Sequence, residues 1–393
     1  MTERVRHVRV RLKARPSQYE IIIGEGTLRA LGEVARRSLP STARHLAIIS
    51  NERVFGLYGQ AAIGSLRAAG FAPQSWLMNE GERHKNLRSL GRALEFLSEA
   101  GLERSDGVVA LGGGVVGDLA GLASSLYLRG LPFLQVPTTL LAQIDASVGG
   151  KTAVNLSAGK NLAGTFQQPR AVIIDTHTLE TLPRRELAAG WCEAVKQGAA
   201  GSRPLFDQTY RFLREQREET LPRASAARRT AAQLEGLIAA QCAFKARVVM
   251  GDEREEIGRT DHLSRRILNF GHTTAHALEA VTRYKRFRHG EAVGYGMLVA
   301  GQVSVGLGLL DPSELELLRD AIGLCGPLPR ADDLDEQAIR SALAHDKKST
   351  GGHVKWVLLE RLGRARIVDE RDIAPRLLRA SLRAAFSRRL SRT

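Results

Sequence analysis

Apolar and polar residues alternate with two different periods along this chain, and the period changes near its middle. Val8, Val10 and Leu12, set against Arg9 and Arg11, repeat every second residue and predict a half-buried strand. Short apolar runs at 47–50, 108–111, 133–136 and 171–175 recur between helical stretches. Strands that are apolar throughout and spaced by helices predict a parallel sheet covered on both faces, a doubly wound α/β domain. After Pro183 the strand signals nearly vanish. Apolar spacing at 3.6 residues predicts helices over 184–200, 221–249, 263–282, 291–309 and 312–322. The expected organisation is an α/β domain over residues 1–182 and a mainly α-helical domain over 183–393.

A chain of 393 residues with 43% hydrophobic content suits two domains, since single cores rarely grow past about 250 to 300 residues. Apolar runs of about 18 residues are all interrupted by charge or glycine, and no apolar segment follows the basic start from Arg4 to Arg15. A soluble, unexported, cytoplasmic protein with no membrane partner is expected. Cys192, Cys242 and Cys325 are too scattered for a disulfide framework or a cysteine zinc site. The net charge of +15 is spread along the chain apart from the segment 361–392, and aromatics are 5%, so nucleic acid is not an expected partner. More telling is which base is used: 47 arginines against ten lysines. Lys85, Lys151, Lys160, Lys196, Lys245, Lys347 and Lys348 all fall inside the motifs below. A compact ammonium with three rotatable donors suits phosphate and ring hydroxyls in a tight pocket.

Those motifs are dense between Leu111 and Lys196. Gly112-Gly113-Gly114-Val115-Val116-Gly117 satisfies GxGxxG after an apolar strand and before a helix, where backbone N–H groups can cradle a pyrophosphate. The acidic residue expected about 20 positions on to hold a ribose is missing. Glu82 and Lys85, three apart at a helix start, can share one face and supply that role. His272 and His276 stand at i and i+4 on one helical face, Glu279 extends that face, and His289 and Glu193 are further candidate ligands. One carboxylate with two imidazoles makes an open, catalytic type of metal site. Among Asp118, Asp145, Asp252 and Glu253, Asp145 is the best acid–base candidate because it neighbours Gly149-Gly150-Lys151. No Ser-His-Asp order or nucleophile elbow is present, so covalent acyl chemistry is not expected.

Taken together, 113–118, Tyr127-Leu128-Arg129-Gly130, 136–155, 159–161, 268–276 and 289–293 make the chain resemble the 3-dehydroquinate synthases of the sugar phosphate cyclase family over nearly its whole length. The resemblance implies a nucleotide-binding α/β domain followed by a helical metal- and substrate-binding domain, with the nucleotide between them. It implies NAD held by Glu82, Lys85, Gly113, Gly114, Val115, Asp118, Thr138, Thr139, Lys151, Lys160 and the turn with Thr178, Leu179 and Thr181. It implies zinc or cobalt on Glu193, His272 and His289. Substrate is implied at Asp145, Lys151, Asn161, Lys196, Lys245, Arg265, Asn269 and His276, with one of Lys347 and Lys348. Arg129 implies a homodimer, since in the family that position reaches the partner's phosphate site. The implied reaction turns an anionic sugar phosphate, 3-deoxy-D-arabino-heptulosonate 7-phosphate, into 3-dehydroquinate and phosphate in the shikimate pathway. A metal-dependent polyol dehydrogenase shares the cofactors but needs no phosphate cluster such as Lys151, Asn161, Lys347 and Lys348. Cyclases of neutral sugar phosphates need no partner for a substrate carboxylate, so Lys245 and Arg265 discriminate. The chain departs from the family pattern at Ala275, Trp191, Cys192 and Gln197, and is longer between Glu255 and Arg265.

Overall fold

The four apolar runs at 47–50, 108–111, 133–136 and 171–175 pair into one parallel sheet. The computed structural model describes residues 18–218, 224–256, 258–349 and 354–387. Its strands β1 (Glu20–Gly24), β2 (His45–Asn51), β3 (Ala72–Met78), β4 (Gly107–Gly112), β5 (Phe133–Pro137) and, after a hairpin of β6 (Lys151–Leu156) and β7 (Gly159–Phe166), β8 (Ala171–Asp175) are each short. The sheet order is β1-β8-β5-β4-β2-β3, with every pairing parallel. Alternate residues face opposite sides, as a period of two requires. Leu46, Ile48, Val109 and Leu111 join one core cluster with α1 (Leu31–Ser38) and α2 (Glu52–Ala68). Ala47, Ile49, Val108 and Ala110 join another with α3 (Leu87–Glu99) and α4 (Gly114–Leu126). The sheet is thus doubly wound, as expected. The chain runs outward from β2 to β3 and returns to β4 on the other side of β2. A ligand crevice is expected beyond the strand ends at such a reversal.

Helices dominate the second half: α5 (Arg184–Gly201), α6 (Arg203–Glu218), α7 (Ala224–Gly251), α8 (His272–Val281), α9 (His289–Gly306), α10 (Pro312–Leu324), α11 (Glu336–Ser349) and α12 (Pro375–Ser387). Their core runs on into the sheet, because Val172 and Ile174 of β8 belong to the same buried cluster as Val195 of α5 and Val293 of α9. Expected helix bounds are met within a few residues at α5, α7, α9 and α10.

The helix expected over 263–282 is two elements. A 3-10 turn covers Arg265–Asn269, and α8 starts only at His272. Gly271 between them has φ 80°, a left-handed conformation that a continuing helix cannot contain. A Cβ there would also lie 2.8 Å from the Met297 nitrogen. Two hairpins were not expected. The β6–β7 hairpin buries only Thr152, Ala153 and Val154 fully and shows no clean apolar alternation, and β9 (Lys355–Arg361) with β10 (Arg364–Asp369) carries arginines where its two strands meet that mask its apolar centre. Strands β1 and β3 and helices α6, α11 and α12 were likewise not anticipated. The strand expected at Val8, Val10 and Leu12 lies outside the described residues.

One close approach fixes the site. A Cβ on Gly290 would lie 2.6 Å from the Ala189 carbonyl carbon, so only glycine lets the start of α9 rest directly on α5. That contact brings His289 to Glu193.

Candidate active site

Beyond the ends of β4 and β5 lies a cleft of about 1590 Å³ whose walls come from both halves of the chain. On the sheet side, α4 begins at Gly114 with Gly113 as its N-cap and no side chain capping it. The first turn of such a helix leaves N–H groups without intrahelical partners, which suits a pyrophosphate. Gly113, Gly114, Val115, Thr138 and Thr139 all line this wall. The Thr138 hydroxyl is buried with no hydrogen-bond partner, as a group awaiting a ligand would be. Thr139 instead accepts from the Ala142 nitrogen at 3.2 Å.

Glu82 opens a 3-10 turn, Glu82–His84, and Lys85 caps its end, so the two do not share a face of an α-helix. Lys85 is 4% exposed. Its ammonium donates to Asp118 at 2.8 Å and to Asn161 Oδ1 at 2.7 Å, and stands 3.1 Å from Glu82. Burial opposes the charge on Lys85, but Asp118 and Glu82 hold its pKa above the ordinary lysine range. Asp118 is therefore an ion-pair partner and not a free acid–base group. Asn155 completes the cluster, donating to Glu82 Oε1 at 2.8 Å and accepting from the Asn161 nitrogen at 2.9 Å. Thr178 and Thr181 line the cleft, with Thr178 accepting from Gln143 at 3.0 Å and Thr181 bonded to the Tyr58 hydroxyl. Leu179 is packed in the helical core and is not among the lining residues.

Across the cleft, Glu193, His272 and His289 present one donor atom each, all within 4.8 Å of one another. The two Nε2 atoms are 3.3 Å apart, and His289 Nε2 is 3.5 Å from Glu193 Oε1. Glu193 is 1% exposed, and both its oxygens lack hydrogen-bond partners. Lys196 Nζ stands 2.7 Å from Oε2 as an ionic contact without hydrogen-bond alignment. A carboxylate whose oxygens accept no hydrogen bond, facing two converging imidazole nitrogens, is a donor set that fits a divalent metal. His276 stays outside the trio, with ring centroids 5.6 Å from His272 and 6.1 Å from His289. The trio expected as metal ligands, Glu193, His272 and His289, is thus brought together, while His276, the other imidazole at i, i+4 spacing, lies beside it. Burial, then Lys196 and His289, push the His272 pKa well down. Burial opposes protonation of His289, yet Glu279 and Glu193 raise its pKa.

The floor is a set of ion pairs. Lys196 donates to Asp145 Oδ2 at 3.0 Å, and Lys245 pairs with Asp145 Oδ1 and donates to its carbonyl at 2.6 Å. Desolvation, then Arg265, drives the Lys245 pKa well below the lysine range. Arg265 is 2% exposed and donates to the Glu253 carbonyl at 2.6 Å and to the Gly149 carbonyl at 3.0 Å. The longer segment before it is folded back by Asp252, which accepts from the Glu256 and Arg265 nitrogens, both at 2.8 Å. Asp252 is therefore a turn residue, and Glu253 accepts from Gln168 at 2.9 Å.

Glu255 was not anticipated. It pairs with Lys151 and accepts from Asn269 Nδ2 at 2.8 Å, with φ 54°. Only its place in the carboxylate-rich segment Asp252-Glu253-Arg254-Glu255-Glu256 marks it. Desolvation, only partly offset by Glu255, lowers the Lys151 pKa. Arg129 lies outside the cleft, exposed, at φ 67°. Lys347 and Lys348 fall in α11, and their side chains lie outside the described residues.

A doubly wound sheet whose nucleotide turn faces a three-ligand metal site across one cleft defines an enzyme that brings a dinucleotide and a divalent metal to the same substrate. The model for the 3-dehydroquinate synthase N-terminal region matches residues 75–189, and that for the C-terminal region matches 190–349. The 3-dehydroquinate synthase of Pelotomaculum thermopropionicum is 44% identical over 351 residues, covering 88% of this chain and 89% of that protein. Among solved structures, 2-epi-5-epi-valiolone synthase from Streptomyces hygroscopicus with NAD+ and Zn2+ bound superposes with TM-score 0.81 at 26% identity, covering 96% of this chain and 99% of that one. A 2-deoxy-scyllo-inosose synthase complexed with carbaglucose-6-phosphate, NAD+ and Co2+ gives TM-score 0.74 at 25% identity over 93% and 96%. This chain belongs to the 3-dehydroquinate synthase family.

Proposed function

We propose that this chain converts 3-deoxy-D-arabino-heptulosonate 7-phosphate to 3-dehydroquinate and phosphate, with NAD reduced and reoxidised within each turnover. The observation that carries the reading is the single cleft in which the α4 nucleotide turn, the Glu193, His272 and His289 trio and the Asp145 ion-pair cluster face one another. Bound there, NAD supplies a reversible hydride acceptor and the metal a Lewis acid. Gly114 and Val115 with Thr138 receive the pyrophosphate, and Lys85, Glu82 and Asp118 order the wall beside it. Asp145, held between Lys196 and Lys245, fixes the ring hydroxyls. Lys151 and Asn269 already donate to the Glu255 carboxylate, so an incoming phosphate meets donors aimed at an anion; Asn161 and His276 complete that end. Arg265 and Lys245 take the substrate carboxylate, which separates this reading from cyclases of neutral sugars. One site then holds the substrate through oxidation, phosphate loss, reduction and intramolecular closure, and the closure gains from a chain already folded for attack.

We place the boundary between the nucleotide and metal halves at residue 182, assign the enzyme to the shikimate pathway and the cytoplasm, and take a homodimer as its working form. The exposed left-handed pair Leu128 and Arg129 supports the last point, since a charged side chain held out from its own cleft suits a second copy. Among the described residues no helix is long and apolar enough to cross a membrane. The test is to incubate the protein with the heptulosonate phosphate, NAD and zinc or cobalt, following phosphate and nicotinamide absorbance together. Phosphate release with flat absorbance is expected, and chelation should stop it. Stoichiometric NADH from phosphate-free polyols would instead make the protein a dehydrogenase.

A further inference from the structure

Helix α8 carries a buried carboxylate that no step above uses. Glu279 is 2% exposed and lies two turns beyond His272 on the same face. Its two oxygens meet different elements: Oε2 is 3.4 Å from His289 Nδ1, and Oε1 accepts from Lys160 Nζ at 2.8 Å. Lys160 belongs to β7 of the hairpin over the cleft, and its ammonium also stands 4.7 Å over the Tyr284 ring. The other nitrogen of His289, Nε2, is the one turned toward His272 and Glu193. His272 is anchored in the same manner, its Nδ1 lying 3.3 Å from the Phe270 carbonyl. A histidine whose far nitrogen is held by an acceptor has its tautomer and ring angle set before a metal arrives.

We propose that Glu279 is a positioning residue for the metal site, holding the His289 ring so that Nε2 faces the metal, while Lys160 ties that setting to the β6–β7 hairpin. This rests on reading Glu193, His272 and His289 as the metal ligands. Lys160 supplies the charge that lets Glu279 be buried, so the hairpin and the metal ligand share one ion pair. Whatever binds at the hairpin and draws Lys160 away also changes the support of His289, and such coupling is reciprocal.

Metal-free full-length protein is titrated with zinc against a chromophoric chelator, and with cobalt while the visible absorption of the ion is recorded. The variants are Glu279→Gln, Glu279→Asp, Lys160→Met and His272→Ala. Zinc affinity of Glu279→Gln is expected to fall about tenfold to a hundredfold, with a changed cobalt spectrum. Glu279→Asp, which keeps the charge on a shorter arm, should fall between it and the parent. Lys160→Met should weaken binding in the same direction by less. Circular dichroism of the metal-free proteins separates misfolding from loss of positioning. If Glu279→Gln and Glu279→Asp both keep parental affinity and spectrum while His272→Ala is defective, the proposal is overturned and the ligand set stands. Tight binding by His272→Ala would overturn the ligand set itself.

Discussion

Replacing Gly290 with alanine adds one methyl group against the backbone of α5, and its effect on the metal site can be worked from the packing. The new Cβ would lie 2.6 Å from the Ala189 carbonyl carbon and 2.8 Å from its Cα. Carbon atoms rest at about 3.5 to 4.0 Å, so the start of α9 must retreat from α5 by roughly 1 Å. The obstacle is helix backbone on both sides, which cannot turn aside as a side chain can. Overpacking of this kind costs about 1 to 3 kcal/mol of stability. His289 is the neighbouring residue at the N-terminus of α9 and moves with it, away from Glu193 on α5. Metal–ligand distances keep to within about 0.2 Å of their usual values, so a shift several times larger should damage the site more than the fold. Zinc affinity of Gly290→Ala, measured by chelator competition on the metal-free protein, is expected to drop at least tenfold, with a reduced melting temperature. Parental zinc affinity together with a parental melting temperature would refute the claim that this contact sets the trio.

Three further outcomes follow from the same geometry. Arg265→Ala should lower kcat/KM for the heptulosonate phosphate about tenfold to a hundredfold, the worth of a charge-assisted contact, without a comparable loss on sedoheptulose 7-phosphate or glucose 6-phosphate; equal activity on the acid would point to another cyclase. Glu279 is held at a pKa of about 2 against an ordinary 4.5, burial being outweighed by His289 and Lys160, so its stabilisation is complete above pH 4.5 and is lost as pH falls toward 2. In urea unfolding of metal-free protein, the stability advantage of the parent over Glu279→Gln should shrink by about 2 kcal/mol between pH 6 and pH 3; an advantage that does not change with pH would contradict that pairing. Lys196→Arg should be as damaging as Lys196→Ala in a phosphate-release assay, because a planar fork does not fit between Glu193 and Asp145; near-parental activity in the arginine variant would show the ammonium to be replaceable.

The strands at 108–111, 133–136 and 171–175 were legible because a strand buried on both faces is apolar at nearly every position, Gln135 and Asp175 being the exceptions. The β6–β7 hairpin was not, since it carries Lys151, Lys160 and Asn161 over a cleft and gives up apolar alternation to do so. Gly271 was visible as a residue, but its φ of 80° depends on the approach of Met297 from α9, which is a tertiary fact. The same limit applies to the metal site. Spacing alone marks His272 and His276 on one helix, whereas what brings His289 to His272 and Glu193 is a glycine contact between two helices, which leaves no periodic trace. Glu255 and Asn155 were missed because their significance lies in partners far along the chain.

What the chain did disclose is tied to its choice of base. In a sequence where arginine carries most of the positive charge, Lys85, Lys151, Lys160, Lys196 and Lys245 all line the cleft, and each contacts at least one carboxylate. Lys196 shows why arginine would not serve, being 2% exposed with Glu193 at 2.7 Å and Asp145 at 3.0 Å. A compact ammonium can donate to Asp145 and still stand as a point charge beside Glu193, while a guanidinium has to lie in a plane. Lys355, by contrast, pairs with Asp369 on the outer hairpin, away from the cleft, so the bias marks candidates and geometry selects among them. The cleft lysines that fit are those whose carboxylate partners lie on different elements. Lys160 joins β7 to α8, Lys196 joins α5 to the segment after β5, and Lys245 joins α7 to that same segment. Each ammonium therefore holds two parts of the wall in register as well as meeting the substrate, which is a positional demand that an exposed arginine network does not face.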